Sequence, residues 1–337
     1  MASCAGLPAR PTADLPGDPG AGAGGLGDSP TVSAKELDAA GIRDPALRES
    51  YEACRRLNAS HGKTYYLATL LLPAWKRPYV HALYGFARYA DEIVDDLAST
   101  LTDAEKADWL VGWGEQFVRD VEAGGSDHPI SRAVVDTVRR WDIPMHHVEA
   151  FLASMRMDLT VTEYETYDDL MTYVHGSAAV IGLEMVPVLE PLVPREVADP
   201  YASDLGIAFQ LSNFVRDVGE DLRRGRVYLP QEDLRAFGVT REHLEHGVVD
   251  GPVRRLLAFE VARTRELYRS AAVGVRLLHP TSRPCIETAL ALYGGILDEV
   301  ERADYDVLRR RVAVGRGRRA AVALPGLARA VVARRSA

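Results

Sequence analysis

Four carboxylates crowd the stretch Tyr89-Ala90-Asp91-Glu92-Ile93-Val94-Asp95-Asp96. Like charges at that density repel unless water solvates them or a cation lies between them. On a helix turning about 100° per residue, Tyr84, Arg88, Asp91 and Asp95 fall within an arc of roughly 60°, and Leu83, Phe86, Ala90, Ile93 and Leu97 occupy the far side. A second acidic stretch, QLSNFVRDVGEDLRRGRVYLP from Gln210 to Pro230, repeats the arrangement. There Gln210, Asn213, Asp217, Glu220 and Asp221 share an arc of about 100°, opposite Leu211, Val215, Val218 and Leu222. Oxygen-only donors at this spacing suit Mg2+, with Mn2+ the alternative, because such an ion takes a few carboxylates and fills its other positions with water and substrate phosphate oxygens. No Glu-x-x-His pair accompanies the acids, which argues against iron. One acidic run alone is ordinarily a solvated face. Two alike are set beside Arg88, Arg216, Arg223 and Arg226, and the segment HGKTYYLATLLLP adds His61, Lys63 and Thr64, so cations able to hold a diphosphate stand next to the acids.

Helices must carry these residues. Apolar periodicity predicts helices over about 65–98, 103–123, 129–140, 144–159, 166–190, 197–222, 252–278 and 282–310. Pro73, Gly124-Gly125, Pro129, Pro144, Pro191, Pro194, Gly225, Pro230 and Pro252 punctuate them, and the alternation that marks strands is nearly absent. The expected fold class is therefore all-α, with a helical region over 34–310. Residues 1–33 are Gly-, Ala-, Pro- and Asp-rich, a composition expected to stay disordered. Their GAGGLG, Gly22 to Gly27, matches the dinucleotide fingerprint only formally, with no strand before it. SAKELDAAG then opens the helical pattern with Ser33 as a possible cap.

With 337 residues, 47% of them hydrophobic, the chain can bury a large core. No apolar run approaches the roughly twenty residues of a membrane span and no basic patch precedes an apolar block at the N-terminus, so a cytoplasmic location is expected. Cys4, Cys54 and Cys285 fit neither a disulfide framework nor a zinc site. The net charge is -8, yet nine arginines and no acid lie between Arg309 and Ala337, leaving the remainder at -17. Residues 311–337 thus read as a basic C-terminal tail, solvated or resting on anionic lipid as a peripheral contact. The acidic body would oppose a phosphate backbone, so no nucleic-acid partner is expected.

Taken together, HGKTYYLATLLLP, ALYGFARYADEIVDD, YVHGSAAVIGLE and the Gln210–Pro230 block resemble the squalene/phytoene synthase family, its bacterial phytoene synthases above all, from about Tyr51 to Arg310. The most specific element is Asn213-x-x-Arg216-Asp217-x-x-Glu220-Asp221 followed by Gly225-Arg226-x-Tyr228-Leu229-Pro230. The resemblance implies a single all-α domain of the isoprenoid synthase type around a central apolar cavity, with the two acidic helices across its mouth. It implies that Asp91, Asp95, Asn213, Asp217 and Asp221 hold magnesium and that His61, Arg88 and Arg216 contact diphosphate. Lys63, Thr64, Arg226 and Tyr228 belong to the substrate-binding set, while Tyr84, Tyr173, Gln210 and Tyr293 line the chamber. Tyr173 and Tyr293, as aromatic helix residues, have a plain core reading as well. Two departures stand out: Gly62-x-Thr64 replaces the frequent Ser-x-Ser, and Ser177-Ala178-Ala179 replaces Val-Ala-Gly.

The implied activity is a prenyltransferase reaction of carotenoid biosynthesis. Two prenyl diphosphates, geranylgeranyl diphosphate in the first instance, join head to head through a cyclopropyl diphosphate to phytoene, with no NADPH. Squalene or dehydrosqualene formation from farnesyl diphosphate is the alternative, as is a terpene cyclase or single-acceptor prenyltransferase on the same fold.

Overall fold

The structure, a computed structural model, describes residues 32–95 and 101–336. Residues 1–31 of the segment expected to be disordered, with GAGGLG and Cys4, lie outside them, as does Asp96, whereas Val32 and Ser33 of that segment open a helix. Fifteen α-helices follow in order among the described residues: α1 Val32–Ala39, α2 Pro45–His61, α3 Lys63–Thr69, α4 Arg77–Asp95, α5 Asp103–Ala123, α6 Ser131–Trp141, α7 Met145–Met157, α8 Tyr167–Val174, α9 Val180–Leu189, α10 Arg195–Arg223, α11 Gln231–Ala236, α12 Arg241–Glu245, α13 Gly251–Gly274, α14 Arg283–Arg302 and α15 Arg316–Ser336. The described residues form only two isolated β-bridges, Glu163 with Val227 and Pro191 with Leu278, so the fold class is all-α as expected.

Local chemistry explains most boundaries. Thr102 and Glu105 form a reciprocal capping box at the start of α5, and Thr166 and Asp169 do the same for α8. A π-turn over His175–Ala179 joins α8 to α9, so Tyr167–Leu189 runs on as one apolar helix. It is long and apolar enough to cross a membrane, but more than half of its most apolar window is buried inside the protein. The periodic stretch expected over 65–98 is two helices, not one. Pro73 ends the first, and Arg77 binds the carbonyls of Leu70 and Leu72 across the turn. Ser33 lies inside α1 and binds Glu52, so it is not the cap its position suggested.

The apolar stripe of α4, with Leu83, Phe86 and Ala90 buried, packs into a core shared with α2, α5, α6, α7 and α9. A second core joins α10, α13 and α14. A large cavity lies where the two meet. The basic segment was read as a tail, yet α15 packs on α14. Gly326 there approaches Thr288 so closely that a Cβ would sit 2.4 Å from its hydroxyl, and Arg334 donates to the carbonyls of Leu71 and Leu72. Gly315, Gly317 and Pro325 hide this helix from periodicity.

Candidate active site

An apolar cavity of about 380 Å³ opens between α3, α4, α7, α9, α10, α13 and α14. Tyr84, Arg88 and Asp91 reach it from α4, and Gln210 and Asn213 from α10. Residues from the polar faces of the two acidic helices therefore line one chamber, as the family resemblance implies. Phe151, Met155, Ile181, Met185 and Phe209 form much of the apolar wall. Asp95 closes α4, and its side chain lies outside the described set.

On α10, Asp217 accepts from Arg216 Nε at 2.7 Å and from Arg311 at 2.8 and 3.1 Å. Arg311 also stands 3.8 Å from Glu220. Burial first, and then the Asp217 charge, pushes the Asp221 carboxyl up to about 7. Among the described residues no three His, Cys, Asp or Glu side chains are preassembled as a metal cluster. The donor set nevertheless suits a hard divalent cation: it is all oxygen, and crowded carboxylates raise one another as they do where a positive charge would relieve them.

On α4, Arg88 donates to Asp91 at 2.5 Å and to Glu92 at 3.1 Å, and His61 Nε2 lies 3.4 Å from Glu92. The expected diphosphate contacts His61 and Arg88 are thus tied to acids at the chamber mouth. Lys63 is exposed beside them. A Cβ on Gly62 would lie 2.7 Å from the Tyr84 ring and from Asn58 Oδ1, so the departure from serine is what lets Tyr84 pack there. Thr64 lines a smaller cavity of about 180 Å³ with Arg216, Arg311 and Arg319.

Deeper in, Asp158 organises the aromatic side of the chamber. It accepts from Tyr173 Oη at 2.9 Å and Tyr228 Oη at 3.0 Å, and Arg226 donates to its backbone carbonyl at 2.9 Å. Burial raises both tyrosines, Tyr173 well above the ordinary phenol value. Tyr173 and Asp158 line the cavity. Tyr228 stands behind them, stacked on Phe214 at 4.1 Å, and Arg226 supports it. Tyr293 also backs the wall, stacked on Phe209 at 4.2 Å and 4.9 Å from Tyr65, both of which face the chamber.

Sequence reasoning missed Asp158, Tyr65 and Arg311. Asp158 ends α7 with no acidic partner at helical spacing, and Arg311 sits in a run of arginines that reads as solvated, so neither carried a local signal. Tyr65 lay in plain view within HGKTYYLATLLLP.

This arrangement has relatives. The squalene/phytoene synthase profile matches residues 58–318. The phytoene synthase of Arthrospira platensis is 40% identical over 286 residues, covering 81% of this chain and 91% of that protein. The 15-cis-phytoene synthase of Synechococcus elongatus is 38% identical over 279 residues, covering 80% and 89%. Among solved structures, a dehydrosqualene synthase with a bound ligand superposes with a TM-score of 0.76 at 25% identity, over 84% of this chain and 96% of that one. The squalene synthase of Alicyclobacillus acidocaldarius gives a TM-score of 0.71 at 27% identity, over 79% and 98%. An all-helical chamber framed by two acidic helices, matched in sequence along most of its length, leaves one assignment: this chain is an enzyme that belongs to the squalene/phytoene synthase family.

Proposed function

We propose that the enzyme joins two molecules of geranylgeranyl diphosphate head to head through a cyclopropyl diphosphate, forming phytoene and releasing both diphosphates. One observation carries this reading: a single apolar cavity has Arg88, Asp91 and Asn213 on its wall, next to Arg216 and Asp217. The naming of its relatives as phytoene synthases supports it.

Asp91, Asn213, Asp217 and Asp221, together with Asp95, would hold magnesium, which neutralises charge on a departing diphosphate when bound. The chain's own residues do the rest. Arg88 and Arg216 bind and orient the diphosphate by charge-assisted hydrogen bonds. The apolar wall keeps water from the carbocation, and the Tyr173 ring, held by Asp158, offers it a π face. The final cation loses a proton and takes no hydride, so no reduced nicotinamide is required.

α15 suits an anionic membrane surface. Its outward face exposes Leu324, Leu327, Val331 and Val332 with Arg329 and Arg335 around them, and the C40 product is too apolar to leave into water. The docked helix, not a free tail, would make the contact.

The test of the proposal is metal dependence. In EDTA, hydrocarbon formation from geranylgeranyl diphosphate stops, and excess magnesium restores it. Turnover undiminished in EDTA would overturn the reading.

A further inference from the structure

On its α10 side the cavity is walled in part by small residues, Ala198, Ala202 and Gly206, with Tyr201 and Leu205 between them. α10 runs beside the chamber from Asn213 at the polar mouth past Gly206 and Ala202 to Ala198. At 1.5 Å per residue, Ala202 lies about 16 Å and Ala198 about 22 Å from the level of Asn213. Four single bonds of about 1.5 Å carry an extended isoprene unit forward by roughly 5 Å. A farnesyl chain entering at Asn213 therefore ends near Ala202, and a geranylgeranyl chain ends near Ala198.

Beyond Ala202, the next α10 residue one turn along in the lining, Ala198, again presents only a methyl group, while Tyr201 of the same helix lines the chamber beside it. Gly274 of α13 lines the same end, and a Cβ there would sit 2.2 Å from Tyr201 Cβ, so only glycine allows α13 and α10 this approach. Leu189, Val275, Leu278 and Cys285, all buried, line this end with no charged group among them.

We propose that Ala202 and Ala198 set the prenyl chain length by leaving room for the fourth isoprene unit, Gly274 serving only to seat the Tyr201 side chain beside them. The inference rests on the prenyl diphosphate reading above and adds the residues that choose between C15 and C20. A leucine at position 202 places three further carbons where the fourth unit lies, while leaving the first three units their space. A leucine at position 198 touches only the chain terminus.

The test uses the full-length chain with Ala202→Leu and Ala198→Leu, each offered farnesyl and geranylgeranyl diphosphate in competition with magnesium present. The readout is the ratio of kcat/KM for the two substrates, with products identified by mass. For Ala202→Leu the geranylgeranyl-to-farnesyl ratio falls by about tenfold or more and product shifts from C40 toward C30, with a smaller fall for Ala198→Leu. A wild-type ratio in both variants overturns the inference, as does a parallel loss of both substrates in variants that melt like the wild type. Should Ala202→Leu fail to fold, Ala202→Val reads the same ratio with less added bulk. If wild-type enzyme makes no C40 product, the proposed function fails, and calorimetric binding of the two thiolodiphosphate analogues still reports whether position 202 discriminates chain length.

Discussion

Asp217→Asn and Asp91→Asn should both stop turnover, but only the first should weaken the fold. Asp217 is 15% exposed and receives two guanidinium groups, Arg216 and Arg311. The amide keeps one acceptor oxygen and turns an NH2 toward an arginine, so charge-assisted hydrogen bonds of about 1.5–3 kcal/mol are lost on the buried Arg216 side. Arg311 is 55% exposed, and water screens most of its share. The expected cost is about 2–3 kcal/mol, a fall in Tm of several degrees for a chain of this size. Asp91 is 40% exposed and pairs along the helix surface with Arg88, so its loss costs about 0–1 kcal/mol. Calorimetric melting and product formation at saturating magnesium, measured on the same preparations, separate the effects. Turnover should drop by about a hundredfold or more in both. A wild-type Tm for Asp217→Asn would refute the paired-arginine geometry, and near-normal turnover of either variant would refute the metal assignment.

Glu184 is buried, and burial pushes its carboxyl up to about 8 from an ordinary 4.5. Because the folded value is the higher, stability is retained below about pH 4.5 and declines as pH rises to 8, by at most about 5 kcal/mol. Glu184→Gln should flatten that decline in pH-dependent melts and raise Tm at pH above 8; an unchanged slope would rule this out. A Cβ on Gly206 would lie 2.3 Å from the Ala178 carbonyl, so Gly206→Ala should cost about 1–3 kcal/mol in denaturant unfolding. Leu324→Glu with Val332→Glu, both on the outward face of α15, should reduce co-sedimentation with anionic vesicles while neutral vesicles stay weakly bound. Equal binding by both proteins to both vesicles would refute the membrane contact.

Much of this was legible in the residues themselves. The arcs of α4 and α10 follow from helical geometry, and the structure brings Tyr84, Arg88, Asp91, Gln210 and Asn213 to one cavity. Helices α5, α6, α7, α13 and α14 also begin or end close to their expected bounds, because caps and breakers are local signals. What stayed hidden depends on long-range contact. The docking of α15 follows from glycine-close packing on α14 and from Arg334 bonding to carbonyls more than 260 positions away. Arg311 looked solvated because its partner Asp217 lies 94 positions earlier. Tyr293 was expected to line the chamber and Tyr228 to bind substrate, but side-chain stacking sets them behind Phe209 and Tyr173, and no helical period reveals that layering.

Product identity tests the central claim most directly. Purified enzyme given magnesium and geranylgeranyl diphosphate, with and without NADPH, should yield in both cases a C40 hydrocarbon that keeps its central double bond. A reaction that stalls at the cyclopropyl diphosphate until NADPH is added, and then gives the reduced hydrocarbon, would contradict it.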